Sequence, residues 1–308
     1  MAEPSIIHKG RPRPGAARAS KRSPGTYVLR VLVIAYLFFL VAWPVYLVGR
    51  NAFARGLTDL GAILSDPYTV YSLELTLWIA VASVAINTVF GVGISLLIVR
   101  FRFVGRRVLN ALLDLPLSVS PVVVGLALVL VYGGRTGWFG PTVQRWGLTV
   151  IYDVPGMILA TTFVSLPLVI REVIPVLQEV GDEQEQAART IGANGLQTFF
   201  RVTLPAIRWG VSYGVVLCLA RSLGEFGAVK VVSGNIYGET RTATLTVENE
   251  YLNFDKGGAY ATAFLLTLVA VAALLVASLA RNAPSRARSA PSRGRDVTEQ
   301  PRQPEERR

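Results

Sequence analysis

Hydrophobic runs long enough to cross a lipid bilayer constrain this chain more than any other feature of its sequence. Of its 308 residues, 52% are hydrophobic, and the mean hydropathy is +0.45. A membrane-spanning helix needs about 20 apolar residues, because the hydrocarbon core is about 30 Å thick. Six runs meet this requirement, at residues 31–48, 73–99, 112–132, 156–176, 206–232 and 259–280. The sequence therefore predicts an all-α integral membrane protein with six transmembrane helices.

Cysteine and histidine are too scarce to build a metal site or a catalytic centre. Cys218 is the only cysteine and lies in the fifth run, so an internal disulfide is excluded and packing is its expected role. His8 is the only histidine and lies in a tail without companion residues. No phosphate-binding G-x-x-x-x-G-K-[ST] loop is present. We expect no catalytic residue, metal or cofactor on this chain, which makes a membrane-embedded enzyme a weak alternative.

Basic residues lie mostly on one side of the six runs. The net charge is +11, and the basic residues cluster in both tails, after the second run and after the fourth. Basic segments are retained on the cytoplasmic side of a membrane, so both termini and the segment after the fourth run are predicted to be cytoplasmic. This explains the charge better than nucleic-acid binding does. The tails, residues 1–26 and 282–308, are expected to be disordered, with anionic-lipid binding as an alternative role.

The cytoplasmic segment at about 181–206 is polar and broken by glycine. Residues 182–191 predict a helix with one narrow apolar face. Gly192 and Gly195 can adopt positive φ and turn the chain. A second short helix follows, whose Leu196, Phe199 and Phe200 share one face at i, i+3 and i+4. Such an apolar face on a loop needs a partner surface.

The spacing within this segment resembles the EAA loop of bacterial ABC-importer permeases. That loop reads E-A-A, three residues, G, nine residues, I-x-L-P, and the resemblance implies short coupling helices that dock on a separate ATP-hydrolysing subunit. An amphipathic loop lying on the membrane surface is the alternative. The resemblance to the EAA loop implies these coupling residues: Glu185, Gln186, Ala187, Ala188, Gly192, Leu196, Phe199, Leu204 and Pro205.

The leading acid of the motif is replaced by Gln186 in this chain. We expect neighbouring Glu185 or Glu183 to supply the acidic contact, unless the dock forms without it.

Charged residues inside the fourth and fifth runs need a reason, because each costs a few kcal/mol on insertion. Arg221 and Glu225 are four residues apart, so they are expected to pair on one helix face. Arg171 and Glu172 are expected to approach them from the antiparallel fourth helix. Two interpretations remain open: a gate or path for an anion, with Arg as the partner of oxyanion groups, or a structural ion-pair network.

The third and second runs carry helix-breaking and small residues. Pro116 and Pro121 are expected to kink the third helix near Ser118 and Ser120, either as a lining of the translocation path or as a structural bend. The second run has small or amide residues that predict close helix packing and an interhelical amide hydrogen bond. These are Ser83, Asn87, Gly91, Gly93 and Ser95.

Three further segments resemble the sulfate and thiosulfate permeases, in particular their W-type subunit. They are residues 114–140, 220–229 (ARSLGEFGAV) and 232–240 (VSGNIYGET), and the resemblance extends over about 27–280. It implies a MetI-like permease domain at 27–281 in the bacterial plasma (inner) membrane. It also implies partners: a second permease of the T/U type, two ATP-binding subunits that hold ATP and Mg, and an extracytoplasmic sulfate-binding protein.

The resemblance implies import of sulfate, and of thiosulfate as a further cargo, by alternating access. Movement of the coupling helices at 186–205 would rock the fourth and fifth helices. Molybdate or tungstate is the alternative cargo, because molybdate permeases share the stretch G-E-F-G-A at 224–228. A proton-coupled anion transporter that uses Glu225 is a second alternative, but it would not need the EAA-like spacing.

Overall fold

The computed structural model describes residues 24–54, 56–135 and 137–282, and within these ranges every regular element is helical. The chain divides into two compact units at Arg50. The first unit is a continuous helical segment that runs on to Ala52. It comprises α1 (Pro24–Leu37), a π-helical turn (Phe38–Ala42) and α2 (Trp43–Ala52). The helix begins inside the tail predicted as disordered; the rest of both tails, including His8, lies outside the described residues.

The second unit carries the remaining helices, which include four long ones. Helices α9 and α10, with the π-helical turn that follows them, form the segment predicted to couple to a partner. The helices are α3 (Thr58–Ser65), α4 (Pro67–Arg100), α5 (Arg106–Ser118), α6 (Pro121–Tyr132), α7 (Gly140–Arg145), α8 (Val154–Val180), α9 (Glu183–Thr190), α10 (Gly195–Thr198), α11 (Leu204–Leu223), α12 (Gly227–Val232), α13 (Ala243–Leu252) and α14 (Lys256–Asn282), with a π-helical turn at Phe199–Thr203.

Five helical segments of the described chain are long and apolar enough to cross a membrane. A sixth crossing is reached only if α5 and α6, which are bent by 113° against each other, are counted as one broken span. The predicted all-α, multi-pass architecture is confirmed. The five segments are Tyr27–Ala52, Pro67–Arg100, Val154–Val180, Gly195–Leu223 and Lys256–Leu279.

Helices α4, α8 and α11 pack tightly around one core. A Cβ built on Gly91 would lie 2.8 Å from Cγ1 of Val169, and one on Gly214 would lie 3.1 Å from the Cα of Val169. Small residues therefore set the spacing of these helices, as predicted. Cys218 is fully buried in this core, which confirms its packing role. The prediction was wrong for Gly93, whose Cβ would meet nothing within 4 Å.

Asn87 joins the same three helices by hydrogen bonds. Its Nδ2 donates to Oγ of Ser165 on α8 at 2.8 Å and to Sγ of Cys218 on α11 at 3.4 Å. Ser222, also on α11, donates to the same Ser165 hydroxyl at 3.3 Å. The predicted interhelical amide bond is confirmed, and it lies at the junction of three helices.

Two of the predicted spans are interrupted rather than continuous. Pro116 stays inside α5, while the chain breaks at Val119 and Ser120 before Pro121 opens α6. Pro121 fits there because the first turn of a helix needs no N–H donor at that position. The fifth run, predicted to extend to residue 232, ends as a helix at Leu223 and restarts as α12 after a short turn.

Candidate functional site

The coupling segment folds as predicted into two short helices joined by a glycine turn. Gly192 follows α9 with φ +90°, a conformation that L side chains rarely adopt. Asn194 then caps α10. Its side chain accepts a hydrogen bond from the N–H of Gln197, and the side chain of Gln197 accepts one from the N–H of Asn194. Gly195 lies in the first turn of α10 without positive φ, so only Gly192 makes the turn predicted for both glycines.

The outer face of this segment presents three apolar side chains. Ile191, Leu196 and Phe200 are all exposed. Phe199, predicted to share this face, instead packs against the buried core of α4, α8 and α11. Phe199 and Phe200 are adjacent in the chain and lie about 100° apart around a helix, so one faces the core and the other faces outward. We call Ile191, Leu196 and Phe200 the apolar coupling face.

The two acids expected to compensate for Gln186 lie in different environments. Glu183 is exposed on α9, and Gln186 is exposed as well, donating from Nε2 to Oδ2 of Asp182 at 2.8 Å. Glu185 points inward, with only 10% of its side chain exposed. It is therefore not available as a surface contact, and that part of the prediction was wrong.

Glu185 is held by Arg100, the last residue of α4. Arg100 Nε donates to both carboxylate oxygens at 3.2 Å, and Nη2 donates to Oε1 at 3.1 Å. The hydroxyl of Thr203, in the π-helical turn, donates to the same Oε1 at 3.0 Å. In the sequence, Arg100 is one of the basic residues after the second run, which indicate only the orientation in the membrane. An arginine at the end of one span and an acid 85 residues away give no sequence signal of their pairing.

Arg221 and Glu225 form an ion pair, as predicted, but not on one helix. Nη1 of Arg221 lies 2.7 Å from Oε2 of Glu225, a contact without hydrogen-bond alignment. Glu225 lies in the turn after α11, where its Oε1 accepts from the N–H of Ala228 at 2.9 Å. The buried carboxylate therefore satisfies the start of α12, while Arg221 remains partly exposed.

Arg171 pairs with α5 rather than with the fifth run. Nη2 of Arg171 donates to Oδ1 of Asp114 at 2.8 Å, and Nε donates to the same oxygen at 3.3 Å. The two side chains are 56% and 55% exposed and line a cleft of about 210 Å³ with Asn110 and Pro167. The predicted approach of Arg171 to the fifth-run charges was wrong, because the bend after α5 brings Asp114 to α8 instead.

The two interrupted spans meet at their breaks. A Cβ on Gly227, the first residue of α12, would lie 3.1 Å from Cβ of Pro121, the first residue of α6. Ser118 and Ser120, predicted to line a path, are both exposed beside this contact. The described residues therefore contain two helix breaks side by side, next to the Arg221–Glu225 pair.

The family of this chain follows from a match over residues 87–288 to the model of "Binding-protein-dependent transport system inner membrane component". The match includes α8, α11, the coupling segment and the three ion pairs described above. The chain belongs to this family. It is a permease, and the EAA-like spacing at 186–205 is the feature of its sequence that first indicated so.

Two relatives of this permease are sulfate transport permeases. It is 47% identical over 250 residues to the sulfate transport system permease protein CysW of Synechocystis, covering 81% of this chain and 90% of that protein. It is 43% identical to CysW of Escherichia coli K12 over 241 residues, covering 78% and 82%. The resemblance to W-type sulfate permeases predicted from three segments is confirmed.

A solved structure with the same fold is that of a bacterial ABC transporter that imports the acidic polysaccharide alginate. It superposes with a TM-score of 0.71 at 17% identity, over 84% of this permease and 96% of that chain. At this identity the likeness concerns the fold alone. It confirms the ABC-importer permease fold predicted from sequence.

Proposed function

We propose that this chain is the permease subunit of an ATP-driven importer of sulfate in a bacterial inner membrane. The single observation that carries the proposal is 47% identity, over 81% of the chain, to a sulfate transport permease. The family is that of inner membrane components of binding-protein-dependent transport systems, which supports the location and the mode of transport.

The proposed assembly contains a second permease, two ATP-binding subunits that hold ATP and Mg, and an extracytoplasmic sulfate-binding protein. A relative that supports the second permease is CysT of Salmonella typhimurium, 37% identical over 214 residues. The alginate transporter was solved with a periplasmic protein that carries its substrate, which supports the binding protein. The basic clusters support an orientation with both termini and the coupling segment in the cytoplasm.

The coupling role belongs to the segment from Gln186 to Pro205. Its apolar coupling face is exposed on α9 and α10, and burial of such side chains against an ATP-binding subunit would stabilise the complex by about 25 cal/mol per Å² of apolar surface. Ala187, Ala188 and Leu204 flank this face and complete the proposed dock. ATP-driven movement of the dock would then switch the access of the permease from one side to the other.

The anion path is proposed to follow the charged residues Arg171 and Arg221. An ion pair that is more than half exposed, such as Arg171 with Asp114, is costly against lipid, so this face belongs against water or protein. Guanidinium groups bind oxyanions by paired N–H donors. Glu225 pairs with Arg221. Ser118, Ser120 and Pro121 lie at the break between α5 and α6, beside the break between α11 and α12.

Uptake of labelled sulfate in a strain that lacks this chain tests the proposal. Restoring the chain should restore sulfate uptake. Suppressing this uptake should take a larger excess of unlabelled molybdate than of unlabelled sulfate. Uptake that does not depend on the chain would contradict the proposed cargo.

The path is tested by Arg171→Gln and Arg221→Gln, with the exposed Arg102→Gln as control. The first two should lower uptake about tenfold, and the control should leave it unchanged.

A further inference from the structure

We propose that Arg100 and Glu185 lock the coupling segment to three membrane helices, so that α4 moves together with α8 and α11 when ATP is used. The inference rests on the proposed function and deepens it. Chain connectivity alone joins the coupling segment only to α8 and α11. The ion pair adds α4, which is far away in sequence.

The contacts of Arg100 show how one side chain joins α4 to the end of α8 and to α9. Besides its three hydrogen bonds to Glu185, its Nη1 donates to the carbonyl oxygen of Leu177 at 3.1 Å, and its Nη2 donates to that of Gly181. Both carbonyls lie at the C-terminal end of α8, where carbonyl groups lack helical partners and a cation is favourable.

Glu185 completes the junction from the other direction. It lies in the first turn of α9, where a negative charge is favourable, and it also accepts from Thr203 in the turn that leads into α11. The ends of α4 and α8 and the turn before α11 therefore meet at the Arg100–Glu185 pair. The helices continue from this junction into the tightly packed core around Gly91 and Gly214.

Burial makes this junction stiff. Only 14% of the Arg100 side chain and 10% of the Glu185 side chain are exposed. Breaking a buried pair leaves an uncompensated charge inside the protein, which is strongly unfavourable. A surface ion pair contributes little to stability and separates easily. Arg100 and Glu185 are positioning residues, because their side chains are buried against each other and determine which helices follow the coupling segment.

The first test measures sulfate imported per ATP hydrolysed by the complete transporter in proteoliposomes. Glu185→Gln and Arg100→Gln should lower this ratio about tenfold while ATP hydrolysis continues. Glu179→Gln is the control, because Glu179 is an exposed acid near the end of α8, outside the coupling segment. The double variant Arg100→Glu with Glu185→Arg should recover part of the ratio. Ratios within about twofold of the unchanged protein in both single variants would overturn the proposal.

The second test leaves the ion pair intact and so does not depend on how the variants fold. Spin labels are placed at Leu97→Cys, exposed on α4, and Glu183→Cys on α9, with buried Cys218 replaced by Ala. The distance between the labels should stay within about 2 Å when ATP is added to the complete transporter. A larger change would overturn the proposal. Sulfate uptake independent of this chain would instead contradict the proposed function itself.

Discussion

The amide of Asn87 on α4 donates a hydrogen bond to the hydroxyl of Ser165 on α8, at 2.8 Å, in the fully buried centre of the helix core. The same amide reaches the thiol of Cys218 on α11. A polar junction of this kind fixes the relative register of three helices, because an amide inside an apolar core must find its partners.

Replacing Asn87 should loosen this three-helix core. Asn87→Ala removes interhelical hydrogen bonds worth about 0.6 kcal/mol each in membrane proteins and leaves a void, so we expect a loss of about 1–2 kcal/mol in the free energy of unfolding. Thermal unfolding of the permease in detergent measures it. Thr88→Ala is the control, because the Thr88 hydroxyl bonds only to Val84 of its own helix. Equal stability of the two variants would contradict the role given to Asn87.

Gly91 and Gly93 should differ sharply in what they tolerate. Gly91→Leu drives a side chain into Val169, and such overpacking costs about 1–3 kcal/mol in stability. Gly93→Leu extends into open space on the same helix and should leave the unfolding temperature close to that of the unchanged permease. The comparison uses one method, thermal unfolding, on two positions two residues apart. A stable Gly91→Leu permease would show that α4 and α8 are not closely packed.

Gly192 should be needed for coupling. Gly192→Trp places a bulky side chain on the outer surface, where no atom of the described chain lies within 4 Å, so the obstruction would fall on the partner. We expect ATP hydrolysis to continue while sulfate uptake falls about tenfold. Two controls separate backbone strain from side-chain bulk. Gly192→Ala adds strain at a position of positive φ without a bulky side chain, and Gly195→Trp adds a bulky side chain at a position without positive φ. Membrane insertion, measured by immunoblotting, should be unchanged; normal uptake by Gly192→Trp would disprove the docking role.

Glu250 should make stability depend on pH. Burial, with a smaller contribution from the nearby carboxylate of Asp255, raises the pKa of Glu250 from an ordinary value of 4.5 to about 7. Between these values the folded permease binds more protons than the unfolded chain, so stability falls as pH rises from about 4.5 to 7. Glu250→Gln should flatten this fall in thermal unfolding, whereas exposed Glu239→Gln should not. An unchanged pH profile in Glu250→Gln would contradict the assignment.

Local sequence patterns were sufficient to predict the helices of the coupling segment, but not which of its side chains face the core. The helix of residues 182–191, the turn at Gly192 and the second short helix follow from polarity, periodicity and glycine placement. The burial of Phe199 does not, because Phe199 and Phe200 lie about 100° apart around the helix and only the packing decides which of them faces the core. The same limit applies to the fifth run, whose apolar composition to residue 232 does not show where the helix breaks. The structure ends α11 at Leu223, and Glu225 accepts from the N–H of Ala228 in a separate α12.

The sequence by itself determined the membrane-spanning architecture, the coupling segment and the family, because bilayer thickness, glycine chemistry and motif spacing all act over short stretches of chain. Only the tertiary structure decided the partners of the charged residues. Arg171 meets Asp114 and Arg100 meets Glu185, across separations of 57 and 85 residues. Electrostatic attraction depends on distance in space, and the packing of α4, α5, α8 and α9 sets that distance.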